Sequence, residues 1–257
     1  MIKSKHRLIT LLVLAAILII ADVVLTFFFA PLVKGAGLSE PVVIAGQLVE
    51  NRLLFSQKIF YLHVPVAIVS FAALGVAAMF SLRYLLDRDH AWDMKAATAA
   101  EVSLVFVLAT MASGIFWTRF EWGVWWVWEP RLTTYFILTL LVLAYFVLRT
   151  NIDDETKKAR YAAVFSILAF IDVPISFFIT RLVPSSIHPV IFTSNSGLST
   201  SMLIPFLLGL IGMMLLGIVI YQVRFALHSS KLRLESIKLR YEALSKKEKL
   251  ARIKELD

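Results

Sequence analysis

Two histidines and a run of tryptophans are the side chains in this sequence best suited to chemistry. His63 and His188 stand on either side of the segment 116–134, FWTRFEWGVWWVWEPRLTT, which places Trp117, Trp122, Trp125, Trp126 and Trp128 within twelve residues, five of the six tryptophans in the chain. A lone histidine at such a position reads most simply as a polar residue at a water interface. As a pair, two imidazoles approaching from opposite sides of a pocket can fill both axial positions of a haem iron. A dense indole surface suits a large, flat, apolar ligand, because ring stacking gives affinity through area. The plainer account of the tryptophans is the aromatic belt at a membrane surface, but a belt spreads its rings over many helix ends.

The elements that must position these residues follow from composition. Of 257 residues, 59% are apolar and 17% charged, and the mean hydropathy is +0.80. Ordinary soluble domains carry about 45–50% apolar and about 25% charged residues, so this is the profile of a membrane protein. The absence of cysteine excludes a disulfide scaffold, a thiol nucleophile, a cysteine zinc site and a CxxC redox pair. A membrane-spanning helix needs about 20 apolar residues, and six runs qualify: 8–30, 59–82, 98–117, 132–148, 161–183 and 201–223. They are continuously apolar, without the alternation of barrel strands. The expected fold is an all-α, polytopic bundle of six transmembrane helices.

Orientation follows from Lys and Arg, which are retained on the cytoplasmic side. An even number of spans puts both termini on one side, and that side carries 20 of the 26 basic residues. Both termini are therefore expected in the cytoplasm, with the outward face built from roughly 31–58, 118–131 and 184–200. The net charge of +8 is then a topology signal and calls for no nucleic-acid partner. His6, His90 and His228 fall inside; His63 and His188 fall outside.

Residues 1–223 form the expected membrane domain, with the tryptophan-rich outward loop at about 117–134. Residues 224–257, with ten basic and five acidic residues and apolar positions at Leu234, Ile237, Tyr241 and Leu244, are expected to form a basic amphipathic helix on the inner lipid leaflet. A short coiled coil with a partner is the alternative. Among acids inside spans, Glu101 can reach the interface, Asp22 and Asp172 lie deeper, and Asp172 is expected to make a buried hydrogen bond between helices in preference to a proton or substrate relay. Gly209, Gly212 and Gly217 read as close helix packing.

WGVWWVWEPRLTT resembles the tryptophan-rich "WWD" signature of the haem-handling superfamily of cytochrome c biogenesis, most closely its CcmC branch. SQKIFYLHVPVA at 56–67 is similar to that family's segment carrying its first haem-ligand histidine, and FIDVPI at 170–175 to its fifth span. The resemblance implies that His63 and His188 are axial ligands of haem b, and that Trp122, Trp125, Trp126 and Trp128, with Trp117 nearby, form the platform for the haem edge. Glu129 stands where the family usually has Asp and Pro130 replaces a small residue, while Arg131 matches. Physically, Arg131 or Arg119 could pair with a haem propionate through a bidentate fork.

The function so implied is that of a haem chaperone or transport component, not an enzyme, in the bacterial inner membrane with its haem site on the periplasmic side. Its implied partners are haem, a periplasmic haem chaperone of the CcmE type, ABC exporter subunits of the CcmA and CcmB type, a small membrane subunit of the CcmD type, and membrane lipid. Two other classes stay open: a cytochrome c haem lyase of the same superfamily, and a non-haem membrane transporter or anchor whose tryptophans form a gate.

Overall fold

A computed structural model describes residues 2–31, 42–44, 47–49, 56–183 and 198–254, with side chains over 5–31, 57–183 and 198–246. Six α-helices make up the bundle: α1 (Ile2–Phe28), α2 (Phe60–Asp87), α3 (His90–Trp122), α4 (Pro130–Asn151), α5 (Glu155–Leu182) and α6 (Thr200–Lys254). Each is long and apolar enough to cross a membrane. A 3-10 turn at Ser56–Ile59 leads into α2. Two three-residue strands, β1 (Val42–Ile44) and β2 (Gln47–Val49), pair antiparallel between α1 and α2, with Val43 opposite Leu48. The fold is all-α, as expected, with this short hairpin beside the six helices.

Several helices outrun the apolar stretches that announce them, and at the starts of α3, α4 and α5 a polar cap rather than hydropathy sets the end. α3 begins eight residues before its run, where the Asp89 carboxylate accepts the Ala91 amide at 2.8 Å. α2 ends at Arg88, whose φ of 56° closes the helix in the left-handed region. α5 is capped by Asp154, which accepts from the Lys157 amide, and that bond holds the Asp154 carboxyl below its ordinary value.

α2 is the central helix, packed against α3, α5 and α6; α1 leans mainly on α6, and α4 on α5. Leu74, Val107, Leu138, Val142, Ala169 and Val173 interlock where α2 to α5 meet. Ala77, Ala99, Ala100 and Ala162 let the helices close around Tyr145. Large apolar side chains such as Ile17, Ile20, Leu86 and Val147 line the outer surface, as expected where the surrounding solvent is hydrocarbon.

Polar side chains tie the helices where tails and spans meet. Arg149 of α4 forks onto Asp93 of α3 with bonds of 2.7 and 3.0 Å. Near the cytoplasmic end of its span, partly exposed Glu101 bonds Arg224 of α6 at 2.8 Å and lies 3.3 Å from His228. Asp22 accepts from Thr26 one turn along its own helix at 3.1 Å, so its bond is intrahelical. Asp172 Oδ2 is buried without a hydrogen-bond partner, so the expected interhelical bond is missing at that oxygen. α6 runs without interruption from its span into the tail.

Candidate functional site

The start of α2 is fixed before His63 is reached. Lys58 is buried, and its ammonium donates to the carbonyls of Thr26, Phe27 and Ala30, satisfying the open C-terminal end of α1. Pro65 sits inside α2. Having no N–H, it cannot donate to the Tyr61 carbonyl four residues back, and Gly209 of α6 fits against that oxygen, where a β-carbon would stand 3.2 Å away. His63 therefore projects from a helix end anchored to both α1 and α6.

Three residues of α3 cradle the imidazole. Ser113 Oγ lies 2.9 Å from His63 Nδ1. Gly114 allows close approach, since a β-carbon there would meet His63 Cε1 at 3.2 Å. Trp117 meets the imidazole edge to face, with ring centroids 5.5 Å apart. Ser113, Gly114 and Trp117 share one face of α3 at i, i+1 and i+4 spacing. The Trp117 indole N–H is buried and has no hydrogen-bond partner; a donor in that state fits an acceptor on a bound molecule.

The tryptophan loop is divided by the structure into two kinds of ring. Trp122, 8% exposed, closes a small core with Val124, Val127 and Leu132, and so holds the loop together from within. Trp125 and Trp128 are 57% and 71% exposed. Trp125 meets Phe116 at 6.1 Å and lies under the Arg119 guanidinium at 5.6 Å. Trp128 is backed edge-on by Trp126 at 5.5 Å and by Phe136 of α4 at 6.0 Å. Trp126 is half-buried, and its indole N–H is a second buried donor without a partner.

The charged residues of the loop shape it. Arg119 donates to the Gly123 carbonyl, across the left-handed turn (φ 73°) that ends α3. Glu129 is 5% exposed and caps α4, accepting the Leu132 amide at 2.6 Å, with Pro130 in the first helical position. A glutamate does here what aspartate usually does at a helix start; its longer arm still reaches the amide. Arg131 is half-buried one turn before Tyr135, whose hydroxyl lies 2.9 Å from Ser70 of α2.

The structure thus brings His63 and Trp117 into contact and places the other loop residues at the same end of the bundle. His188 lies outside the described residues. Among the described residues no three His, Asp or Glu side chains cluster to hold a bare metal ion; a porphyrin iron, which needs only axial ligands, asks for less. Sequence reasoning missed Ser113, Gly114, Lys58 and Phe136. For the first two a signal was present, one helical turn before Trp117, but it is meaningful only once α3 is known to face His63. A cavity of about 420 Å³ between α1, α2 and α3, lined by Asp22, Lys58, Tyr61 and Phe120 among others, contains neither His63 nor a tryptophan and is separate from this site.

Comparison with known proteins places the chain in a family. Residues 2–240 match the family model described as CcmC, Heme exporter protein C. The chain is 34% identical over 166 residues to the Heme exporter protein C of Bradyrhizobium diazoefficiens, covering 64% of this chain and 63% of that one. It is 29% identical over 163 residues to that of Rhodobacter capsulatus, covering 63% and 60%, and 33% identical over 128 residues to that of Escherichia coli, covering 47% and 49%. The matches span less than two thirds of the length of these curated relatives.

Proposed function

This chain belongs to the Heme exporter protein C family, and on that premise we propose that it binds haem b at the tryptophan-bearing end of its bundle and passes it on for cytochrome c maturation. His63 supplies one axial nitrogen and His188 the other. Trp125 and Trp128, exposed and braced from behind, give the haem edge a face to lie on, and the indole N–H groups of Trp117 and Trp126 offer donors to its polar groups. Arg131 or Arg119 pairs with a propionate. The protein acts as a handling and release component rather than an enzyme. It sits in the bacterial inner membrane with both termini cytoplasmic and the haem site periplasmic. Haem goes to a periplasmic chaperone of the CcmE type, with exporter subunits of the CcmA and CcmB type and a small CcmD-type subunit in the same complex.

The observation that carries this reading is the cradle at His63, an imidazole fixed by a hydroxyl on one helix and set beside a buried indole donor. The test is an absorption spectrum of the purified protein loaded with haem. A six-coordinate band present in the wild type and lost in the double variant His63→Ala, His188→Ala supports it. A wild type with no haem band overturns it, and covalent haem attachment to an apocytochrome by the protein alone would replace it with the lyase reading.

A further inference from the structure

The hydrogen-bond geometry of Ser113 bears on where the proton of His63 sits. Ser113 Oγ lies 2.8 Å from the Ala109 carbonyl and 3.1 Å from that of Thr110, both within its own helix, and 2.9 Å from His63 Nδ1. A hydroxyl has one hydrogen and two lone pairs. Carbonyl oxygens only accept, so the hydroxyl hydrogen serves the turn behind it and the oxygen is left to receive a proton from the imidazole. The reverse arrangement, with the hydroxyl donating to Nδ1, would abandon both carbonyl contacts and put the ring proton on Nε2, where it blocks that nitrogen as a ligand.

We propose that Ser113 is a positioning residue that accepts the Nδ1–H of His63 and thereby holds the imidazole in the tautomer whose Nε2 lone pair can bind a haem iron. Gly114 completes the device by leaving room for Cε1, and Trp117 limits the tilt of the ring. The proposal rests on the haem reading above for its purpose, but the tautomer itself is a property of the haem-free protein. An acceptor on the far ring nitrogen also raises the basicity of the ligating one, which favours ferric over ferrous iron.

The experiment uses the full-length protein labelled with ¹⁵N-histidine, its His63 signals identified by their loss in His63→Gln. In haem-free wild type and in Ser113→Thr, which keeps the hydroxyl, His63 should be protonated at Nδ1; in Ser113→Ala the proton should move to Nε2, the form a free imidazole favours. With haem bound, Ser113→Ala should release ferric haem about tenfold faster than wild type, within the range for loss of a ligand's hydrogen-bond partner, and Ser113→Thr should behave as wild type. A role in packing alone predicts the opposite order, with the smaller Ala tolerated and the bulkier Thr harmful, and that order overturns the proposal. So does a wild-type His63 protonated at Nε2, or an Ala variant that keeps the Nδ1 proton. The two readings fail separately: a wild type that binds no haem overturns the proposed function, while the haem-free spectra still decide the role of Ser113.

Discussion

Gly209 of α6 lies so close to Asp22 of α1 that a β-carbon on it would stand 2.5 Å from the carboxylate Oδ2 and 2.9 Å from Cγ. The next turn repeats the contact, since a β-carbon on Gly212 would meet Ile19 Cγ1 at 2.8 Å. α1 packs mainly on α6, so these two glycines lie in the contact that docks it. Gly209→Ala is expected to destabilise the protein by about 1–3 kcal/mol, the range for overfilling a closed contact. Thermal unfolding in detergent measures it, with Gly217→Ala, where the nearest atom is Val69 Cγ1 at 3.1 Å, as the milder companion.

Replacing His63 with Gly should turn six-coordinate haem into a five-coordinate form held by the remaining axial ligand. Imidazole added to the solution should restore the original spectrum by filling the vacated position. A six-coordinate spectrum in the variant without added imidazole would show that His63 is not a ligand.

The tryptophans should separate by burial. Trp125→Ala and Trp128→Ala each remove an exposed ring, and each is expected to weaken haem binding by about 1 kcal/mol, roughly fivefold, with little change in melting temperature. Trp122→Ala empties the core of the loop and should cost about 3–5 kcal/mol of stability. Parallel haem titration and thermal melting distinguish the two classes.

Glu129 caps a helix, so its variants should rank by whether an acceptor oxygen reaches the Leu132 amide. Glu129→Ala should cost about 1 kcal/mol. Glu129→Asp should be nearly neutral, because the shorter acid is the more usual cap. Glu129→Gln, which keeps the acceptor and loses the charge, should fall between them, and the measurement is again thermal unfolding, read beside haem content.

At the opposite end of the bundle, Arg149→Ala leaves Asp93 without its two-point partner in a largely buried setting and should cost about 2 kcal/mol. Arg149→Lys keeps the charge but cannot form the fork, so it should recover only part of that loss.

The number of spans was legible in the sequence because hydrocarbon imposes a length that apolar runs report directly. The ends were not: His90 to Ala97 belong to α3 although their hydropathy is unremarkable, since the helix there is held by the Asp89 cap. The tryptophan loop stood out by composition alone. Its division into a buried Trp122 and exposed Trp125 and Trp128 did not, because an irregular loop has no periodicity from which a facing can be inferred. Ser113 and Gly114 passed as ordinary small residues in an apolar helix, for the face they occupy acquires meaning only when His63 is placed opposite. The acids in the spans were noticed, but their partners were not, since Glu101 and Arg224 are brought together by the return of α6 across more than a hundred residues.

The 55 residues of α6 form a single rod, about 80 Å long at 1.5 Å per residue, against a hydrocarbon layer of about 30 Å. More than half of it must stand clear of the bilayer core. Where it leaves the bundle, Glu101 grips it at Arg224 and His228, with Thr98 3.1 Å from the same histidine, which makes that girdle a fulcrum. A lever so mounted carries torque from the tail stiffly through the span as far as Pro205, the one interior proline of α6, which lies close to Thr200 at the same end of the bundle as the tryptophan loop. The molecule thus carries a stiff mechanical shaft between its two ends.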